Sequence, residues 1–142
     1  MDFEKLFSPW RPHALSILRI VTALLFLEHG TMKLLCFPPS EFAPPLFSLF
    51  GAAGMIELVG GVLLLAGLWT RPVAFLLSGE MAVAYFMAHA PQSVFPIINQ
   101  GEAAILFCFV FLYVAAAGAG PWSVDRWRAA GSLSASTASA KV

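Results

Sequence analysis

Charged residues are scarce in this sequence. Asp, Glu, Lys and Arg make up 11% of the chain, whereas soluble globular proteins carry about 25%. The eight basic residues balance the eight acidic ones, so no excess positive charge favours a nucleic-acid partner. Cysteine is scarce as well, and Cys36 and Cys108 form neither a disulfide framework nor a C-x-x-C redox motif. These deficits argue against a soluble enzyme and against a nucleic-acid-binding protein.

Long apolar stretches dominate the sequence instead. Hydrophobic residues make up 59% of the 142 positions, and the mean hydropathy is +0.81. A spanning helix needs about 20 mostly apolar residues. Four such stretches occur, separated by prolines or by a short polar turn, at residues 14–36, 46–69, 72–90 and 101–120. The sequence therefore predicts an all-α membrane protein, a four-transmembrane-helix bundle.

The predicted bundle occupies one domain, residues 1–128, and the rest of the chain has a different composition. Residues 129–142 are rich in Ser and Ala and contain few bulky apolar side chains. Segments of this composition bury too little apolar surface to offset the entropy that ordering costs. We expect residues 129–142 to form a disordered tail.

Lys and Arg are distributed unevenly between the predicted connections. The connections at residues 37–45 and 91–100 contain neither. The basic residues outside the spans are Lys5, Arg11, Arg71, Arg126, Arg128 and Lys141. By the positive-inside rule, this pattern predicts that both termini are cytoplasmic and that the two uncharged connections face outward. We expect a multi-pass protein of the bacterial inner (plasma) membrane, with the lipid bilayer as its surroundings.

Ionisable residues inside the predicted spans are the most informative feature. A charge at the bilayer centre costs about 2.5–3.5 kcal/mol, so each one needs a partner or a watery cavity. At about 1.5 Å of helix rise per residue, sequence position gives an approximate depth. The residues expected near the midplane are Glu28, His29, Glu57 and Glu80. Those expected nearer the outer surface, beside Asn99 and Gln100, are Lys33, His89 and Glu102, while Arg19 lies toward the cytoplasm.

Two interpretations of these residues remain open at this point. Buried ion pairs that hold helices in register would explain them without any ligand. Alternatively, Lys33, His89 and Glu102 would form a functional group, because three helices contribute them at one depth. Glu102 and Tyr113 share a face of the fourth helix, which suits a flat apolar ligand with a polar head. No Glu-x-x-His motif occurs, and we expect no metal site.

Short motifs follow one another in a characteristic order along most of the chain. They are, in order, Arg19, His29-Gly30, Lys33-Leu34, Glu57-Leu-Val-Gly60-Gly61, Gly67-Leu-Trp-Thr-Arg71, Met81, Ala84, His89, Pro96, Asn99-Gln-Gly101-Glu102, Gly118-Ala-Gly120 and Ser123-Val-Asp125. This order resembles the DoxX family of small four-helix membrane proteins. Glu28 and Glu80 fall outside the family pattern, and Gln100 stands where a small residue is expected.

The resemblance implies a redox context. The family takes its name from a subunit associated with quinol oxidase and thiosulfate:quinone oxidoreductase systems. By analogy, the chain is a membrane subunit that handles a quinone or docks a soluble or membrane oxidoreductase. It carries no redox centre of its own, so whether it is itself an enzyme stays open. The expected catalytic residues are Glu102, His89 and Lys33. The expected cofactor-binding residues are Arg19, His29, Glu57, Asn99 and Tyr113, with Arg19 and Glu57 as a buried pair.

Two other hypotheses belong to different classes. A small proton-coupled transporter or exporter would use a membrane-embedded carboxylate, with Glu57, Glu28 or Glu80 as the candidates. A purely structural helper would use every polar residue for packing. Because Glu28 points roughly opposite Arg19 on the first helix, it would face another subunit of a homo-oligomer or the membrane.

Overall fold

A computed structural model of the protein describes residues 2–42 and 44–139. All regular secondary structure in these residues is helical. The helices are α1 (Phe3–Phe7), α2 (Arg11–Leu35), α3 (Leu49–Ala66), α4 (Thr70–Ala84), α5 (Pro96–Asn99), α6 (Glu102–Ala117) and α7 (Val124–Ser139). A 3₁₀ turn (Ser8–Trp10) joins α1 to α2, and a π-helical segment (Tyr85–His89) extends α4.

Within residues 2–42 and 44–139, three helical stretches are long and apolar enough to cross a membrane. They are Phe3–Leu35, Leu49–Ala66 and Thr70–His89. The fourth predicted span, residues 101–120, is a shorter apolar helix of 16 residues in the structure. It measures about 24 Å against a hydrocarbon core of about 30 Å. It ends early because Gly118 takes a positive φ of 98°.

The helices pack mainly in two pairs. Helix α2 packs along α3, and α4 packs along α6, while α3 and α4 connect the pairs. Apolar side chains from all four helices form the core, namely Ala23, Phe26, Leu64, Ala74, Leu77, Met81, Phe111 and Val114. Many other large apolar side chains are exposed, among them Phe75 and Phe109. Outward-facing apolar side chains are what a helix in lipid requires, so the exposed surface agrees with the membrane assignment.

Glycine allows α2 and α3 to approach each other closely. A Cβ atom on Gly30 would lie 2.7 Å from the backbone nitrogen of Leu58. On α3, a Cβ atom on Gly54 would meet Lys33, and one on Gly61 would meet Leu27. Small residues at such positions bring two helix backbones together and are a common basis of helix association in membranes.

The two ends of the bundle differ in their contents. We call the end where α2 and α4 begin the terminal end, because α1 and α7 lie there. We call the opposite end, which holds the connections after α2 and α4, the loop end.

Helix α7 differs from the predicted disorder over residues 129–142, since the structure is helical as far as Ser139, and residues 140–142 lie outside the described chain. The Ser123 hydroxyl accepts the N–H of Arg126 and caps this helix, and alanine favours its continuation.

Candidate functional site

Arg19 is fully buried at the terminal end and binds backbone carbonyl groups. Its guanidinium donates hydrogen bonds to Leu65 at 2.7 Å and to Ala119 at 2.9 Å, and also to Leu64 and Trp122. The last carbonyls of a helix lack partners within the helix and attract a cation. Arg19 therefore caps the end of α3 and joins it to the segment after α6. This contradicts the predicted pairing of Arg19 with Glu57.

Two further charged residues connect helix ends at the terminal end. The Arg71 guanidinium donates to the carbonyl of Ala115 at 2.9 Å, and it also reaches the next two carbonyls of α6. The Asp125 carboxylate accepts the N–H groups of Trp69 and Thr70, each at 2.9 Å, and so caps the start of α4. An open cavity of about 740 Å³ lies among these residues. Two of the charged groups that line it, Arg71 and Asp125, are engaged in helix caps.

Asp125 lies outside the membrane-spanning segments, and its contacts determine the direction in which the pKa of its carboxyl group is shifted. Burial raises the pKa of this carboxyl, but hydrogen bonds from Thr70 and Trp69, together with the charge of Arg128, stabilise the ionised form and outweigh burial. Its pKa consequently lies below the ordinary value of 3.8. The carboxylate is therefore ionised at neutral pH, as a cap at a helix N-terminus requires.

Lys33 and Glu57 form an ion pair inside the bundle. Glu57, at 1% exposure, is the ninth of the 18 residues of α3 and lies at its midpoint. The sequence position of Lys33 predicted that it lies near the outer surface with His89 and Glu102. Its pairing with Glu57 separates it from those two residues. A helical side chain points toward the N-terminus of its own helix, which for α2 is the terminal end. The Lys33 ammonium therefore extends toward the middle of the bundle.

Glu80, on α4, lies within electrostatic range of this ion pair. It is the eleventh of the 20 residues in Thr70–His89, again at the midpoint. Both of its carboxyl oxygens are buried, and neither has a hydrogen-bond partner among the described residues. Oε2 of Glu57 is buried and unpartnered within the same part of the chain. Glu80 interacts electrostatically with Glu57 and Lys33. We call Lys33, Glu57 and Glu80 the inner cluster.

His29 borders the inner cluster. Its Nδ1 lies 3.1 Å from the carbonyl oxygen of Leu25, and its ring packs edge-on against Phe107 with centroids 5.5 Å apart. Because a carbonyl only accepts hydrogen bonds, Nδ1 carries the proton. His29 also interacts electrostatically with Glu57. The structure therefore places predicted residues His29, Lys33 and Glu57 together, away from the loop end.

His89 and Asn99 meet at the loop end, as their predicted depth implied. His89 Nδ1 lies 2.9 Å from the Asn99 carbonyl oxygen and donates to it, and in the neutral imidazole Nε2 then carries the lone pair. The Asn99 side chain is 1% exposed. It donates to the Ser93 carbonyl at 2.7 Å and accepts the Gly101 N–H at 2.8 Å. Asn99 therefore shapes the loop and orients the imidazole of His89.

Tyr85 is a member of this loop-end group that the sequence did not single out. Its ring stacks on that of His89, with centroids 6.4 Å apart and planes inclined by 21°. Gly101 closes the other side, since a Cβ atom there would lie 2.7 Å from the Tyr85 ring. The π-helical segment Tyr85–His89 turns both rings in this direction, and π-helical turns are frequent at functional sites. In the sequence, Tyr85 and His89 are four residues apart, and this spacing makes two side chains neighbours on a helix.

Glu102 and Tyr113 are exposed on α6. Glu102 is its first residue, and its carboxylate has no hydrogen bond or ion pair within residues 2–42 and 44–132. A helix N-terminus stabilises a carboxylate. Tyr113 is 55% exposed and lies about 16 Å farther along the helix. His89, Asn99 and Glu102 therefore remain at the loop end as candidates, while Tyr113 lies away from them. Across the described chain, no three His, Cys, Asp or Glu side chains group as a metal site.

The fold defines an all-helical membrane protein with one polar group inside the bundle and another at its loop end. The sequence profile of the DoxX family matches residues 14–90, and this chain belongs to the DoxX family. A protein of Haemophilus influenzae that carries the name "Uncharacterized protein" is 45% identical over 125 residues, which cover 82% of this chain and 91% of that protein. No solved structure matches the chain. The positions of the inner cluster and His89 lie within the matched range, residues 14–90, whereas Asn99 and Glu102 follow it.

Proposed function

We propose that this DoxX-family protein is a redox-associated membrane subunit that binds a quinone or quinol headgroup at the loop end. The observation that carries the proposal is the orientation of His89. Its Nδ1–H is held by the Asn99 carbonyl, which leaves the Nε2 lone pair for a ligand. An oriented imidazole of this kind suits proton exchange with an oxygen-bearing ligand.

The loop-end residues fit such a headgroup by their chemistry. A quinone, when bound, supplies electron transfer coupled to proton exchange at its two oxygens. His89 Nε2 accepts a proton from a hydroxyl or, once protonated, donates to a carbonyl. The exposed Glu102 carboxylate is a second proton acceptor two residues beyond the Gln100 turn. Tyr85 offers an aromatic face beside His89, and Asn99 acts as a positioning residue. A separate oxidoreductase exchanges the electrons.

Quinone content tests this proposal directly. The protein is purified gently from its native membrane, extracted with organic solvent, and the quinone per polypeptide is measured. We expect a value near one for the wild type. Glu102→Gln removes a charge-assisted hydrogen bond, worth about 1.5–3 kcal/mol, so we expect binding to weaken about tenfold or more. His89→Ala removes a neutral hydrogen bond, worth about 0.5–1.5 kcal/mol, so we expect binding to weaken about two- to tenfold. Glu41→Gln, an exposed loop carboxylate, is the matched control. Equal quinone in all four proteins, or none in any, contradicts the proposal.

The orientation in the membrane is a second part of the proposal. The distribution of Lys and Arg supports cytoplasmic termini in a bacterial inner membrane, with the loop end facing outward. Cys36 ends α2 at the loop end and is exposed. In a Cys108→Ser background, a membrane-impermeant maleimide should label Cys36 in intact cells. Labelling that requires broken cells would reverse the orientation.

Proton-coupled transport is the second candidate, and the inner cluster favours it. Two carboxyl groups at the midpoints of neighbouring helices are suited to binding a proton in exchange for a cation. Uptake of amphipathic cations into proteoliposomes, driven by a proton gradient, tests this function. Uptake that Glu80→Gln abolishes would favour it. Lack of uptake across a panel of amphipathic cations argues against it.

A further inference from the structure

Glu80 is a buried carboxyl group that the loop-end site does not use. Its oxygens have no hydrogen-bond partner in the described part of the chain, and both are out of contact with solvent. Its position at the midpoint of Thr70–His89 places it far from either membrane surface. An ionised carboxylate there without a counter-ion is strongly disfavoured, so its charge depends on the groups around it.

The neighbouring helices supply one cation and one competing carboxylate. From α2, Lys33 pairs with Glu57 of α3, and His29 interacts electrostatically with Glu57. From α6, Cys108 lies beside Ser78, two residues before Glu80. Arg19 and Arg71, at the terminal end, are engaged with backbone carbonyls. Lys33 is therefore the single cation that the described chain places in electrostatic contact with both carboxyl groups.

This charge balance leads to an assignment of protons. With Lys33 and Glu57 both ionised, the pair is neutral, and an ionised Glu80 would give the inner cluster a net charge of −1. We propose that Lys33, Glu57 and Glu80 form a proton-binding site within the membrane, with Glu80 holding one exchangeable proton. Lys33 is the counter-ion of whichever carboxylate is ionised. Binding a proton brings the cluster to zero charge, and releasing it leaves −1.

The proposal predicts a specific series of infrared spectra. A protonated carboxyl group has a C=O stretching band that is separate from that of a carboxylate. Relative to the wild type at pH 7 in lipid, Glu80→Gln should lose the band of one carboxyl group. Glu57→Gln should also lose the band of one carboxyl group, because Glu80 then ionises as the partner of Lys33. Lys33→Met should gain one, because both carboxyl groups become protonated.

Controls separate this assignment from the alternatives. Glu41→Gln removes an exposed loop carboxylate and should leave the band unchanged. In D₂O the Glu80 band should shift, since the proton is exchangeable. Replacing choline chloride with sodium chloride in the buffer should leave the Glu80 band in place. Glu80→Gln has the shape of the neutral acid and should fold, which size-exclusion chromatography and thermal unfolding verify.

Three results would overturn the assignment: a Glu80→Gln spectrum with the full wild-type band, no shift in D₂O, or loss of the band in sodium. The last would identify the inner cluster as a sodium site. The assignment rests on the inner cluster and not on quinone binding. An absence of bound quinone therefore leaves these spectra as they are, and failure of one proposal is distinguishable from failure of the other.

Discussion

Replacement of Arg19 by methionine tests whether the terminal end is held together by carbonyl capping. Arg19 is fully buried and donates to four backbone carbonyls from the end of α3 and the segment after α6. Methionine keeps an apolar side chain of similar length but has no donor. The substitution therefore removes the hydrogen bonds while it preserves most of the packing.

The expected loss follows from the number of bonds and the cost of burial. A hydrogen bond to a charged group contributes about 1.5–3 kcal/mol, so four bonds give about 6–12 kcal/mol. Removing the guanidinium also removes its desolvation penalty, which is several kcal/mol. We therefore expect Arg19→Met to lower the free energy of unfolding by about 3–5 kcal/mol. Arg19→Lys keeps part of the donor set and should lose less.

Arg71 provides the matched control. It caps α6 in the same manner, through Ala115 and the two carbonyls that follow, but its side chain is exposed. Exposed charges at helix termini contribute about 0.3–1 kcal/mol. Arg71→Met should therefore cost about 1 kcal/mol or less. The free energies come from unfolding in mixed micelles of increasing SDS content. Losses for Arg19→Met and Arg71→Met that agree within about 1 kcal/mol would refute the reasoning.

The remaining predictions concern another cap and a helix contact. Asp125→Asn should cost about 1–3 kcal/mol at pH 7, because an amide has one acceptor oxygen where the carboxylate accepts the N–H groups of Trp69 and Thr70 with two. Because the folded pKa of Asp125 lies below the ordinary 3.8, its contribution is present above that pH and is lost as the pH falls through the folded pKa. Unfolding curves of the two proteins should therefore converge at low pH, and a constant difference would contradict the assignment. Gly30→Ala should cost about 1–3 kcal/mol, because its Cβ meets the backbone of Leu58. Gly79→Ala, which enters open space, should be neutral or stabilising by up to about 1 kcal/mol. Equal melting temperatures for the two alanine variants would argue against close packing at Gly30.

Local composition predicted the helical class for a simple reason, whereas the family came from a resemblance in the order of short motifs. Backbone groups in hydrocarbon must be bonded within their own segment, so a long apolar stretch has few structures available to it. The prediction for the last span was less accurate. Gly118 ends α6 early at a positive φ, and the chain leaves the helix before the apolar composition ends.

Helical angles and depths predicted part of the candidate site. The meeting of His89 and Asn99 follows from their common depth beside one connection. The placement of Lys33 did not follow, because a depth read from the Cα position ignores the direction of a long side chain. Glu80 stood outside the family pattern, and its unpartnered carboxyl group appears only once α2, α3 and α4 are assembled.

The sequence by itself therefore determined that this is a helical membrane protein of the DoxX family with ionisable groups in its spans. Only the tertiary structure decided which of those groups are helix caps and which remain free for chemistry. Arg19 and Glu57 look alike in the sequence as buried charges, but one meets helix-end carbonyls and the other meets Lys33. The partner of each charged group is a helix end or a side chain that the packing of the helices brings within a few ångströms. Those distances exist only in the folded chain.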